Sequence, residues 1–567
     1  MDIAAMTIKA LELMWVFGNQ TAELIITFRA FDSDARLLEA KIRDEISTGK
    51  YMKHLLFDSS SVYDSKTLFD QFDYDVQSQI LVFFEQSTGV LHQALQVLTR
   101  LFGNRDSDPP KLLASSSDAS SFSSASTAFT YEYPKAQQHN SPGLGPSLQV
   151  DPIPRKPSPL KRLWWSVYDK RRIESILAEF SDLNARNLRK IQLWCLGAEL
   201  SVDRGGHLLR LESDPNSKAL GFDLDARLQI STIEGVSGPM DSEELEVQES
   251  KVLIGDMPAI QDVLGGRYGI SQWDGRPVLV EYRNYAPESP VPVMLDDRTR
   301  EVIDRLAKVL HQPKETIFRM PNCLGWTSQA EQNRAALFFA IPEGSQPSPI
   351  SLLDIIVSSP TTPSLGSRFT LALRLAGCIS QLQLVKWVHE SFRSENILFY
   401  PRVDVKHENA DDRCTPHNID LTEPWVLGFE NSRPDPFFSA GRPDKCPERD
   451  VYRHPSRQQT PTQHFNKLHD IYALGVVLLE IGLWQEALSL EKGRFAKVRE
   501  PLTIKKQLVK NAEKRLGAKM GNRYRDVVVR CLEGRFEVVN DTKEELKLQQ
   551  AFRETVVDVL ERSANNI

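Results

Sequence analysis

His389-Glu390-Ser391-Phe392-Arg393-Ser394-Glu395-Asn396 is the stretch that decides how this chain is read. Immediately upstream, Leu371, Leu375, Ile379 and Leu382 recur every three or four residues, which predicts a helix from Phe369 to Val388 with Ser367 as its cap. Directly after the octapeptide, Ile397-Leu398-Phe399 is a short apolar run with strand character, and Trp425-Val426-Leu427-Gly428-Phe429-Glu430 is a second. Tyr452-Arg453-His454-Pro455-Ser456 follows, and then Asp470-Ile471-Tyr472-Ala473-Leu474-Gly475-Val476-Val477-Leu478-Leu479-Glu480. In that last run Ile471, Leu474, Leu478 and Ile481 give the core stripe of a buried helix.

In order and spacing these four elements resemble the C-terminal lobe of the protein-kinase family, whose catalytic loop reads His-Arg-Asp-Leu-Lys-x-x-Asn. In that loop the Asp accepts the substrate hydroxyl proton and the Asn holds a magnesium ion. Here His389 and Asn396 stand at their places, but Ser391 occupies the base position, and serine is no carboxylate base at neutral pH. Phe429 matches the middle of the Asp-Phe-Gly motif, with Gly428 in place of the metal-binding Asp and Glu430 in place of Gly. Pro455 falls where the activation segment ends in Ala-Pro-Glu, and Asp470 is the residue expected to accept hydrogen bonds from the loop backbone. Glu390 reverses the charge of the Arg that docks a phosphorylated activation segment.

The corresponding small lobe is more altered. Gly266-Arg267-Tyr268-Gly269 keeps two of the three glycines of the phosphate-covering loop, with Leu264 at the first. Pro277 to Arg283 resembles the Val-Ala-Ile-Lys strand with Glu281 at the Lys position. Strand side chains alternate, so Arg283 shares the face of Glu281 as a stand-in cation. Asp297 to Leu310 would be the helix that supplies the partner carboxylate, with Glu301 the nearest candidate, so that two carboxylates would repel. Leu337 to Ile341 looks like the strand entering the hinge.

Base, metal ligand and phosphate Lys are thus all replaced, and phosphoryl transfer depends on positioning and charge neutralisation. The resemblance therefore implies a pseudokinase. Gly266, Gly269, Arg283, Asn396 and Phe429 would be remnants of its nucleotide pocket, and His389, Arg393, Pro455, Asp470 and Gly475 would hold the fold. No cofactor is expected, and ATP would bind weakly and without magnesium. A weakly active, atypical ATP-binding kinase and a non-catalytic scaffold are the alternatives.

The first third of the chain is different in kind. Long apolar-periodic segments predict helices near residues 3 to 17, 21 to 47 and 67 to 102, with Gly18 and Gly49 as punctuation. Between residues 104 and 161 eight serines fall between Ser115 and Ser126, and six prolines follow from Pro142 to Pro159. Such a stretch buries too little apolar surface to offset its ordering entropy, so disorder is expected. A further helix beginning near Leu163 carries the stripe Ile173, Ile176, Leu177, Phe180, Leu183, Leu188, Ile191 and Trp194.

Trp164-Trp165-Ser166-Val167-Tyr168-Asp169-Lys170-Arg171-Arg172, with the helical pattern before it, resembles the HeLo-type helical domains of filamentous fungi. Those are membrane-active effectors of regulated cell death and heterokaryon incompatibility. Bundle plus degenerate kinase lobe is similar in architecture to the mixed-lineage kinase-like necroptosis effector. The expected fold is therefore multidomain. An N-terminal all-α helical bundle would span residues 1–205, with a disordered insertion at about 104–160. A connecting segment, 206–250, would lead to a C-terminal α+β, protein-kinase-like bilobal domain with lobes at 251–345 and 346–567. The resemblance implies protein partners, either an upstream receptor or further copies of the bundle. It also implies conditional contact with membrane lipid, and a cytoplasmic location with recruitment to the plasma membrane on activation.

Ile3, Met6, Leu13, Met14 and Phe17 make the first helix nearly apolar all round, the candidate membrane helix. From Ile3 to Phe17 it falls short of the ~20 residues that span a bilayer, and a buried bundle helix is the resting reading. Asp2 and the lack of a basic stretch before a small-residue cleavage site argue against a signal peptide. A net charge of −7 and a pI near 6.0 give no reason to invoke nucleic acid. The six cysteines are scattered singly, which suits reduced thiols. No metal site is expected: Cys414, His407 and His417 share the polar insertion 401–424 but lack a fourth ligand at a credible spacing.

Overall fold

In the computed structural model the residues described are 2–27, 34–102, 170–198, 200, 202–231, 267–285, 289, 291–358, 361–402, 419–429, 432–434, 447–458, 463–491, 500–542 and 545–567. The expected insertion at 104–160, Gly266, Glu430 and most of the 401–424 insertion, with its Cys and His residues, lie outside them.

The chain divides into two compact units. One comprises Met1–Lys50 and Gln79–Arg186, the other Tyr51–Ser78 and Asn187–Ile567. In the first unit the first helix runs on past the expected residue 17, the second starts and ends later than the expected 21–47, and the third starts later than the expected residue 67. The helices are α1 (Ile3–Ile26), α2 (Asp34–Phe57), α3 (Tyr74–Phe102) and α4 (Lys170–Gly197), the last three running partly into the second unit's residues. Gly18 and Gly49 do not punctuate anything; both sit inside helices. A Cβ at Gly18 would overlap the Ile46 side chain and one at Gly49 the end of Met14, so these glycines let α1 and α2 approach closely. The unit's core is Ala22, Ile25, Ile42, Ile46, Ala94, Leu98, Ile173 and Leu177, each buried. Full burial of such an aliphatic side chain contributes about 1.5–3 kcal/mol. Ser181 and Asn184 add a polar clasp, donating to the Glu45 carboxylate at 2.5 and 2.6 Å.

The second unit begins with a correction. Residues 206–250 were expected to connect, yet α5 (Arg204–Ser213), α6 (Pro215–Leu220) and α7 (Asp223–Ile230) occupy their first half. They are short, and α5 and α6 are capped by Asp203 and Asp214; none carries a long apolar stripe, which is why periodicity misses them. They are packed in: the Tyr63 hydroxyl lies 2.7 Å from His207 Nδ1, and His207 Nε2 is 2.8 Å from the Cys195 carbonyl. Burial lowers the His207 pKa to about 4, so the ring is neutral, accepting from Tyr63 and donating to Cys195. Buried Asp225 accepts from Gln192 at 2.8 Å and Gln381 at 2.5 Å.

A four-stranded antiparallel sheet follows, in the order β1-β2-β4-β3, from β1 (Tyr268–Trp273), β2 (Arg276–Asn284), β3 (Cys323–Gln329) and β4 (Arg334–Ala340). Val278 and Val280 pack with Ala336 and Phe338 on one face. On the other, Leu279 joins Leu337, Phe339 and the buried side of α8 (Asp297–His311). Glu281, two residues beyond Leu279, shares that inner face.

The rest is mostly helical, with two small antiparallel sheets, and opens with β5 (Ile350–Ser351) and the short α9 (Leu352–Ser358). Helix α10 (Leu365–Leu384) is capped by Ser364, whose hydroxyl accepts the Ser367 amide, so helix and cap both start earlier than expected. Strands β6 (Trp387–Val388), β7 (Ile397–Phe399) and β8 (Trp425–Val426) bracket the octapeptide. After the single-turn α11 (Pro447–Asp450), helix α12 (Lys467–Leu483) is apolar on every side from Ile471 to Leu479 and buried along nearly all its length. Gly475 lies where a Cβ would come within 2.9 Å of Cys531 and 3.1 Å of the Leu532 nitrogen, so only glycine lets the crossing helix approach there. The coarse class, a helical N-terminal region and a C-terminal region of helices and small antiparallel sheets, is as expected.

Candidate functional site

The octapeptide is pinned by the first turn of α12. Asp470 accepts from the His389 amide at 2.8 Å and the Glu390 amide at 3.1 Å, the interaction expected of it. Those bonds hold Glu390 at φ +61, a left-handed conformation that costs a non-glycine residue about 1–2 kcal/mol. His389 is wholly buried; its ring lies 5.6 Å from that of Phe392 and 5.3 Å from that of Phe429. Asn396 closes the loop on itself, its Nδ2 donating to the Ser391 carbonyl at 2.6 Å.

The loop meets the sheet through residues the sequence reading passed over. Arg267, just before β1, donates from Nη2 to Asn396 Oδ1 at 2.6 Å and from Nη1 to Glu395 Oε2 at 3.2 Å. Tyr268 adds its hydroxyl to Asn396 Oδ1 at 3.4 Å. Arg393, buried as a fold residue should be, donates to the same Glu395 oxygen at 2.9 Å. Glu395 is thus shared by two guanidiniums, and the Asn396 carboxamide is engaged at both ends.

Glu281 reaches the other side of this cluster. It is buried, and its Oε2 accepts the Gly428 amide at 3.0 Å. Arg283, on the same face, donates to the Phe429 carbonyl at 3.4 Å, so the expected shared face of the two residues holds. Gly428 stands at φ +91, and a Cβ there would overlap the Asn396 side chain. Glycine is therefore required twice over, for its backbone and for its lack of a side chain. Glu301 takes no part: it is exposed and pairs with Arg305 at 3.0 Å along its own helix, so the expected repulsion between Glu281 and Glu301 gives way to two separate partners. Gly269 faces Tyr282, whose hydroxyl a Cβ would approach to 2.8 Å.

Two further buried groups near Pro455 were not foreseen. Tyr452 donates to Glu480 at 2.7 Å, Ser394 lies 2.7 Å from the Tyr452 hydroxyl, and the Ala487 amide donates to Glu480 at 2.8 Å. Burial raises the Glu480 pKa to about 7 against the lowering effect of those donors. Pro455 opens a short turn in which Ser456 Oγ lies 2.8 Å from His454 Nδ1 and 3.0 Å from His469 Nε2. Burial lowers the two imidazoles to about 4 and about 3, keeping both neutral. Among the described residues no group of three or more His, Cys, Asp or Glu could hold a metal ion.

The candidate membrane residues lie on α1. Met14 is buried, Leu13 and Trp15 are 37% and 53% exposed, and Ile3, Met6 and Phe17 are half-buried, Phe17 stacking on His92 at 5.0 Å. Although α1 runs for 24 residues, no helix among the described residues is long and apolar enough to cross a membrane.

Residues 326–567 match a family described as a domain of unknown function, DUF7580. The match opens within β3 and takes in the octapeptide, Gly428, α12 and the chain from there to residue 567, but not Arg267 or Glu281. No curated protein matches the chain.

Proposed function

We propose that this chain is a signalling protein whose kinase-like, bilobal C-terminal domain transfers no phosphate. In this reading an N-terminal HeLo-like bundle acts on a membrane or on further copies of itself, as in fungal regulated cell death. The observation that carries the first half is the engagement of Asn396. Its carboxamide oxygen accepts from Arg267 and Tyr268, and its nitrogen is spent on Ser391. A magnesium-binding Asn would need that oxygen free. The carboxylate of Glu281 and the serine at 391 leave neither a phosphate-holding lysine nor a base, so nucleotide binding is weak and metal-independent. The second half rests on the HeLo-type resemblance and on a first helix that leaves Leu13 and Trp15 in solvent.

The test is expression of residues 1–205 beside the full chain, with circular dichroism to show that the shorter piece folds. Toxicity and leakage of anionic liposomes by the bundle, both muted in the full chain, are expected. A folded bundle that is inert toward cells and liposomes overturns the effector reading in favour of a scaffold. Labelled phosphate incorporation that Asn396→Ala abolishes would overturn the pseudokinase reading in favour of an atypical kinase.

A further inference from the structure

Helix α13 (Pro501–Asn511) continues through a π-helical turn, Ala512–Leu516, toward α14 (Gly517–Glu533). Ile504, Leu508, Ala512 and Leu516 are buried, one per turn. Two residues out of phase, on the opposite side, Leu502, Lys506, Lys510 and Lys514 are exposed. Between Pro501 and Arg525 there are eight Lys and Arg against one acidic residue, Glu513, in a chain whose formal net charge is −7. Several of those cations already have partners. Lys505 donates to the Glu533 carbonyl at 3.3 Å, Arg515 to Gln485 at 2.8 Å, Lys519 to the Leu483 carbonyl at 3.1 Å, and Arg525 pairs with Asp526 at 2.8 Å. Lys506, Lys510 and Lys514 have no such partner among the described residues.

We propose that this lysine face docks on the anionic surface of a phospholipid membrane. Three ammonium groups on successive turns cover about 12 Å of a convex helix, which suits a flat, negatively charged surface. Lysine stems can lie along the interface while their heads meet phosphate and carboxylate groups. Leu502, 55% exposed on the same stripe, adds an apolar tip. The stripe carries no aromatic residue on which nucleic-acid bases would stack. This surface belongs to the second unit and is distinct from the candidate membrane helix α1, so it stands or falls independently of the bundle.

The test uses the full chain with vesicles of phosphatidylcholine alone or mixed with phosphatidylserine. Wild type should sediment with the serine-containing vesicles only, and less so as salt rises. The triple variant K506Q/K510Q/K514Q should bind about a hundredfold more weakly, since each basic residue near an anionic leaflet is worth roughly fivefold. Its thermal midpoint should not move, because all three side chains point away from the core. Leu13→Lys should leave this binding intact, which separates the lysine face from α1. The proposal is overturned if wild type ignores the anionic vesicles or if the triple variant binds like wild type. It fails equally if Leu13→Lys alone abolishes binding, or if an oligonucleotide displaces the vesicles with the same dependence on the three lysines.

Discussion

Replacing Gly428 should reveal how much of the site is held closed from within. At φ +91 an L-residue pays about 1–2 kcal/mol for its backbone alone. Its Cβ must also displace Asn396, which donates to Ser391 at 2.6 Å and accepts from Arg267 at 2.6 Å. Losing one neutral bond costs about 1 kcal/mol and one bond to a charged partner about 1.5–3 kcal/mol. Gly428→Ala should therefore destabilise the fold by about 3.5–6 kcal/mol, a large part of the ~5–15 kcal/mol that holds a typical domain. Gly428→Asp should cost more still, because it sets a second carboxylate beside the buried Glu281. Urea unfolding measures both, as a lower midpoint with unchanged slope. A cost below about 1 kcal/mol for Gly428→Ala, or a magnesium-dependent thermal shift with ATP in Gly428→Asp, would refute the reasoning.

Purified protein should incorporate no labelled phosphate into itself or a generic substrate, and Ser391→Asp alone should not change that. Any thermal shift with ATP should be no smaller when magnesium is chelated; a shift that requires the metal counts against the pseudokinase reading. Leu13→Lys, at an exposed position, should move stability by no more than about 0.5 kcal/mol yet abolish toxicity of residues 1–205, whereas Met14→Asp should lose the helical circular-dichroism signal outright. Glu480, raised by burial to about 7, favours the fold when protonated. Its contribution is present below the ordinary Glu range and lost as pH climbs to about 7, so Glu480→Gln should flatten that slope; an unchanged slope would show the group titrating normally. His469, lowered by burial to about 3, works the other way. Its contribution is full above about 6.5 and lost as pH falls toward 3, and His469→Gln should reduce that acid-side loss in a denaturation series.

The parts of this fold legible in sequence are those where one signal dominates. The apolar run of α12 and the strand Ile397–Phe399 fall where hydrophobicity puts them, and the tie from Asp470 to the octapeptide backbone follows from the resemblance. Glycine misled where it serves packing: Gly18 and Gly49 read as breaks, although helix interiors tolerate glycine when a neighbouring helix needs the room. The engagement of Asn396 was hidden for another reason. Arg267 lies 129 residues away, and nothing local to either residue announces the pairing. Even so, Arg267 stands beside Gly266 in the Gly266–Gly269 stretch, and an arginine between closely spaced glycines is a visible clue.

The substitutions at the site are coupled through geometry. Glu281 looks like a loss when compared with lysine, but its carboxylate has found the Gly428 amide, a donor that exists in that orientation only because residue 428 sits at φ +91. That backbone in turn requires glycine, and the missing Cβ makes the room that Asn396 fills. Asn396 Oδ1 in turn accepts from the guanidinium of Arg267. Each residue thus creates the condition that stabilises the next, and changing any one sets a side chain against partners already committed elsewhere. Ser391→Asp introduces a carboxylate into a buried loop whose Asn396 and Glu395 already hold the nearest arginines. A base without a neighbouring cation or metal is a buried charge at a cost of several kcal/mol. Under the proposed pseudokinase reading, phosphoryl transfer would require simultaneous change at Glu281, Ser391, Gly428 and Arg267, because each of these residues is held by, or holds, another of the set or Asn396.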